Sequence, residues 1–211
     1  MIAMILPDNM IRPLRDNIDP FVEENLQPAS LDITLGDKFL VEKFKGRVMD
    51  PTVDKMEYRP VAVEEKLLKP GEFVLGSTRE FIHVPDNLTA MLAGKSTIAR
   101  WGIRVHITAG WIDPGYRGKV TLEIVNDSSN IIQLHPGMLI GQLVFLEMKK
   151  KPDQVYSGKY QDSMDVVGAR KEKKKFKKTI ITMHNDQSAA NDGGFDRDVG
   201  SDCDAGMCPV R

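Results

Sequence analysis

The sequence predicts an all-β protein, a barrel or a jelly-roll-like double sheet, and three observations carry that prediction. From about residue 30 to 147, apolar residues either alternate with polar ones or gather in short β-branched runs. Between these runs stand Pro70-Gly71, Pro114-Gly115 and Pro136-Gly137, pairs that mark turns. Helical patterning is confined to two short stretches, neither long enough to form a layer. Short strands at this spacing close into a barrel or stack as a double sheet.

In chain order, Asn9 to Leu14 is a short amphipathic start interrupted by Pro13. In SLDITLGDKFLV, Leu31, Ile33 and Leu35 alternate with Asp32 and Thr34, the period-2 pattern of a half-buried strand. Glu72 to Leu75 and Leu88 to Leu92 are the next strands, and STIARWG after Lys95 supplies a turn of helix. Lys119 to Val125, Ile131 to Leu134 and Met138 to Leu146 complete the set. No repeat of solenoid or propeller period is present.

Residues 1–165 read as one domain and residues 166–211 as a mobile tail, because the composition changes there. First comes the basic run Lys171 to Lys178, a solvated charge cluster that also has the chemistry to touch phosphate. A polar, Gly- and Asp-rich stretch follows, broken by the apolar island Thr179 to Met183, an edge strand or simply part of the tail.

A chain of 211 residues accommodates one compact domain with extensions. No apolar run approaches the roughly 18 residues that cross a bilayer, and the N-terminus lacks the basic and apolar regions of a signal peptide, so a cytoplasmic, membrane-free protein is expected. Cys203 and Cys208 cannot by themselves build a disulfide framework or a zinc site, so no protein-bound metal is expected. The formal charge of −1 argues against a dedicated nucleic-acid binder, while leaving room for a small anionic ligand.

Chemistry concentrates between Gly94 and Gly118, GKSTIARWGIRVHITAGWIDPGYRG, and in the strand that follows. In that strand Val120, Leu122 and Ile124 share one face while Thr121, Glu123 and Val125 share the other, which leaves Glu123 amid apolar neighbours. Glu123 is either a surface residue on a solvated face or a carboxylate with a task. Asp113, in Ile112-Asp113-Pro114-Gly115, has two compatible readings, a turn-capping residue and a second functional carboxylate. His106 reads as a packing or hydrogen-bonding residue, His135 as a turn residue, and Trp101 and Trp111 as core or as walls of a pocket.

These segments, in this order, resemble the dCTP deaminase family. The resemblance rests on GKSTIAR (Gly94 to Arg100), HITAGWIDPGYRGKVTLE (His106 to Glu123), PGMLIGQLVF (Pro136 to Phe145) and SGKYQ (Ser157 to Gln161), with QPASLDITLG and STREFIHVPDNL ahead of them. It covers roughly residues 1 to 165 and implies a distorted, dUTPase-like β-barrel that assembles as a homotrimer with active sites between subunits. By the same resemblance, Glu123 takes a proton from the water attacking cytosine C4 and returns protons to the ring and to the departing ammonia. Ser96 orients that water and Arg100 holds the catalytic carboxylate, both from a neighbouring subunit, while Ala109 offers its backbone carbonyl and Asp113 contacts the deoxyribose.

The candidate nucleotide-binding set is Lys95, Thr108, Ala109, Gln142, Tyr156, Lys159 and Tyr160, joined at the phosphates by Ser96. Mg²⁺ is expected on the triphosphate rather than in a protein cage. The zinc-deaminase pattern H-x-E with P-C-x-x-C is absent from the sequence. The expected ligands are dCTP and dUTP, with dTTP a candidate inhibitor. Thr108-Ala109-Gly110 resembles members that carry dCTP through to dUMP. A plain dUTPase and a non-catalytic nucleotide-binding regulator are the alternatives. Two departures from the family pattern bear on phosphate grip and on the terminal segment: Lys95 stands where many relatives have arginine, and Ser163 where glutamine is common.

Overall fold

The computed structural model describes residues 4–171. Within the basic run Lys171 to Lys178 only Lys171 falls inside that range; Thr179 to Met183, Cys203 and Cys208 lie outside the described residues. The first strands are β1 (Met4–Ile5), β2 (Ile18–Asp19), β3 (Leu26–Gln27), β4 (Ser30–Thr34), β5 (Lys38–Glu42), β6 (Tyr58–Ala62) and β7 (Lys66–Leu68). Then come β8 (Phe73–His83), β9 (Leu88–Gly94), β10 (Ile103–Arg104), β11 (Trp111–Ile112), β12 (Arg117–Asn126), β13 (Ile132–Leu134) and β14 (Leu139–Glu147). The helices are short, α1 (Asp8–Ile11) and α2 (Ser96–Arg100), with 3₁₀ turns at Arg12–Asn17 and Glu23–Asn25. Pro13 falls where α1 hands over to the first 3₁₀ turn.

The strands form two antiparallel sheets and a ribbon. One sheet has the order β11-β9-β14-β4-β3, with β1 added to β14; the other runs β10-β12-β8-β5-β6, with β2 added to β8. β13 pairs with β7 alone. The fold is therefore all-β and jelly-roll-like, a distorted double sheet that does not close into one ring. Its core joins Leu31 and Ile33 of β4, Leu92 of β9 and Phe145 of β14 to Ile82 of β8 and to Leu122 and Ile124 of β12. Burying each such side chain contributes about 1.5–3 kcal/mol. The three Pro-Gly pairs form turns whose second residue has positive φ, 72° at Gly71, 80° at Gly115 and 84° at Gly137, a conformation that favours glycine. Pro60 sits in β6, at the edge of its sheet, where a missing N–H costs least.

Two strands differ from expectation. β4 is buried on both faces, with Asp32 3% and Thr34 9% exposed, because polar partners meet its second face instead of water. β8 runs far beyond Glu72 to Leu75, and its register against β12 shifts between Lys119 and Thr121. The hydroxyl of Thr78 fills that gap, accepting the Val120 N–H at 3.0 Å and donating to the Glu80 carbonyl at 2.8 Å. Such an irregularity re-aims side chains, and here the beneficiary is Glu80. Its carboxyl reaches β4 in the other sheet, where Oε1 accepts the Thr34 hydroxyl at 2.6 Å and the Thr34 N–H at 3.0 Å.

Burial raises the pKa of Glu80 above its ordinary 4.5, despite the bonds from Thr34. A raised carboxyl contributes stability that is present below the unfolded pKa and lost as pH rises through the folded one. Glu80→Gln keeps an oxygen for the two Thr34 bonds while removing the charge. The variant should therefore lose less stability than the parent as pH rises from about 4.5 to neutrality, a trend that thermal unfolding across that range will read.

Candidate active site

The stretch rich in chemistry crosses between the sheets. β10 pairs with the end of β12, Ile103 opposite Asn126, and the Val105 carbonyl accepts the Glu123 N–H at 3.0 Å. The chain then leaves β12, and the Gly110 carbonyl accepts the Leu92 N–H at 2.7 Å as β11 joins β9 in the other sheet. The turn after Ile112 returns it to β12, with Tyr116 N–H donating to the Asp113 carbonyl at 3.1 Å. Residues 106–110 thus bridge the two sheets above the outward face of β12. Gly110 has no room for a side chain, since a Cβ there would lie 2.6 Å from the Leu92 carbonyl oxygen.

Beneath this bridge is a cleft of about 610 Å³ that contains Glu123. Leu122 and Ile124 are fully buried on the core face of β12, whereas Thr121 and Glu123 look into the cleft. Val120 joins them there, where the register shifts. Glu123 pairs across the strands with Leu75, and its Oε2 accepts the Ile107 N–H at 2.9 Å. That bond fixes the carboxylate beside the bridge and leaves its second oxygen for another partner. Asp113 lines the same cleft from the turn, where its backbone carbonyl is the group that accepts the Tyr116 N–H. Thr108, Ala109, Tyr156 and Tyr160 line it as well.

The other candidates stand elsewhere on the chain. Ser96 and Arg100 are exposed on α2 and do not line the cleft. Lys95 pairs with the buried Asp32 at 2.5 Å, and Gln142, opposite Asp32 in the β4–β14 register, accepts the Ser30 hydroxyl at 3.2 Å. Lys159 lies 5.3 Å from the Tyr160 ring centroid and donates to the Arg170 carbonyl at 2.9 Å. Trp111 is exposed at the cleft; Trp101, also exposed, lines a separate apolar groove with Ile98 and Ile103. His106 is half-buried in the bridge, and its Nδ1 has no hydrogen-bond partner among the described residues. His135 accepts the Met138 N–H at 3.1 Å in its turn.

Sequence reasoning passed over several cleft residues. Tyr116 packs edge-on against Tyr156, with ring centroids 5.6 Å apart, and donates to the Lys119 carbonyl at 2.8 Å. Burial, and secondarily Tyr156, push its phenol above the ordinary value, which keeps it a hydrogen-bond donor. It lay within the motif and was legible there; Tyr58 and Val167, also in the wall, carried no local signal. Among the described residues no lysine or arginine lines the cleft, and no group of three or more His, Cys, Asp or Glu is placed to hold a metal ion. No helix among them is long and apolar enough to cross a membrane.

Residues 5–148 match the family model described as dCTP deaminase-like. The chain belongs to that family. Similar proteins include the "dCTP deaminase, dUMP-forming" of Persephonella marina, 37% identical over 175 residues, a match covering 79% of this chain and 97% of the relative. The protein of the same description from Beutenbergia cavernae is 44% identical over 162 residues, covering 72% and 84%. Among solved structures, the 2'-deoxycytidine 5'-triphosphate deaminase of Agrobacterium tumefaciens shares the fold with a TM-score of 0.57 and 23% identity. That match covers 70% of this chain and 49% of the other. The dCTP deaminase-like matched region ends at Glu147-Met148, so Tyr156, Tyr160 and the segment beyond lie outside it.

Proposed function

We propose that this protein hydrolyses dCTP to dUTP and ammonia and carries dUTP on to dUMP and diphosphate. The observation that carries the reading is the carboxylate of Glu123, held by the Ile107 N–H inside a cleft whose rim is Thr108 and Ala109. In the first reaction, water oxygen bonds to cytosine C4 while Glu123 takes a proton from that water and delivers it to ring N3. A second proton passes from the new hydroxyl through Glu123 to the amino group, the C4–N bond breaks, and ammonia leaves. Such transfer accounts for roughly 10²- to 10⁴-fold of acceleration, and the rest comes from fixing water against C4 among preorganised dipoles. No zinc-activated hydroxide enters this route.

Two carboxylates and no lysine or arginine among the described cleft-lining residues make a poor host for a triphosphate within one chain. The exposure of Ser96 and Arg100 on α2, outside that chain's own cleft, supports the reading that they serve a neighbour's site. On this reading the enzyme works in the cytoplasm as a homotrimer, with Lys95, Ser96, Arg100 and Gln142 completing the adjacent subunit's cleft. Mg²⁺ arrives on the phosphate oxygens as part of the substrate. Asp113, on the turn, meets the deoxyribose, and Tyr156, Lys159 and Tyr160 belong to the phosphate end, where dTTP competes.

The second reaction is supported by the dUMP-forming description of the similar proteins and by Gly110, whose position excludes a larger residue unless the bridge shifts. Incubating the protein with dCTP and Mg²⁺ and following ammonia, dUTP and dUMP separately tests both steps. Ammonia with dUMP, diphosphate and little free dUTP is expected. Accumulating dUTP would remove the second step, and absence of ammonia would remove the first.

A further inference from the structure

We propose that Tyr58 is a positioning residue, a latch that holds residues 165–171 across the cleft and so governs how long nucleotide stays bound. The inference rests on the cleft being the nucleotide site. After Tyr160 the chain runs back along β12: Asp162 N–H donates to the Arg117 carbonyl and Lys119 N–H to the Ser163 carbonyl, each at 2.7 Å. Farther on, Val167 N–H donates to Thr121 Oγ1 at 3.2 Å, on the strand face that carries Glu123. Ser163, Val167 and Ala169 thereby become part of the cleft wall.

The far end of this strap is fastened by the β5–β6 hairpin, through a residue that also lines the cleft. The ring of Tyr58 lies so close to Gly168 that a Cβ there would overlap two of its carbons. The Tyr58 hydroxyl accepts the Ala169 N–H at 3.3 Å, and Lys171 Nζ reaches the Val53 carbonyl at 2.7 Å on the same hairpin. At the near end Lys38 of β5 pairs with Asp165 at 2.5 Å. Gly168 does not have positive φ, so its backbone does not demand glycine; the approach of the Tyr58 ring does. A phenol half-buried between strap and cleft is thus matched to the one strap residue lacking a side chain. A base bound beneath the strap leaves only when this contact opens.

The test pairs two perturbations of one contact. Tyr58→Ala should raise KM for dCTP about tenfold while kcat changes by less than about threefold, since retention rather than chemistry is lost. Tyr58→Phe keeps the ring and should recover most of that affinity. Gly168→Ala leaves Tyr58 intact but forces the two apart, and should raise KM similarly. The double variant Tyr58→Ala/Gly168→Ala should be no worse than Tyr58→Ala alone, because the added methyl then enters vacated space. Hydrogen exchange at the Val167 and Ala169 amides should quicken in both single variants, a readout that needs no turnover.

Unchanged exchange in Tyr58→Ala and Gly168→Ala overturns the latch. Faster exchange with unchanged KM overturns its role in retention, as does an additive double variant. If the parent protein releases no ammonia from dCTP, the nucleotide reading fails on its own, and exchange alone still decides whether the strap is latched.

Discussion

Glu123→Gln should abolish ammonia release from dCTP while leaving nucleotide binding within a few-fold of the parent. The substitution keeps shape and keeps an oxygen for the Ile107 N–H, which Glu123 accepts at 2.9 Å. It removes the proposed proton acceptor. The amide can neither take a proton from water nor return one to N3 or to the leaving amine, so the whole general acid–base contribution, roughly 10²- to 10⁴-fold, is forfeited. Loss of preorganised water enlarges the effect. Ammonia assay and calorimetric titration with dCTP separate the two quantities. Turnover within about tenfold of the parent would remove Glu123 as the base.

The second large effect is a gain. Ser96→Ala and Glu123→Gln should each be nearly inactive alone, yet mixing the two under conditions that exchange subunits should restore activity. Glu123 stands inside its own chain's cleft, whereas Ser96 lies exposed on α2 outside it. In the proposed trimer, mixed subunits would form an intact site wherever a Ser96→Ala subunit supplies Glu123 and its Glu123→Gln neighbour supplies Ser96. Random assortment of equal amounts gives roughly a quarter of parental sites, set by cyclic symmetry. A site completed within one chain gives none. Failure to regain activity after verified exchange would mean that Ser96 reaches Glu123 in its own subunit or does not serve the site.

The candidate site was legible in part. Glu123 was marked by its place on a strand whose other face is apolar, and the structure puts Leu122 and Ile124 at 0% exposure on the core side. Asp113, Thr108 and Ala109 share a short segment with it in sequence order, and the bridge between sheets explains that proximity. Tyr58 was not legible. It lies 65 residues before Glu123 in the numbering, on a strand whose neighbours Arg59 and Pro60 obscure any alternation, and only sheet order brings it to the cleft. Nor was the anchoring of Lys95 legible, because nothing local announces that Asp32, from β4, pairs with it at 2.5 Å.

The sequence by itself determined the all-β class, the Pro-Gly turns, the two short helices and the carboxylate on the outward face of β12. These depend on alternation and on backbone preference, both set within a few residues of chain. Tertiary structure alone decided that β4 is buried on both faces and that β8 shifts register to send Glu80 into the opposite sheet. It also decided that Val167 and Ala169 join the cleft wall beside Tyr58. Each of these is a meeting of residues distant in the chain, and an alternating pattern says which side of a strand faces inward, not which strand will lie across from it.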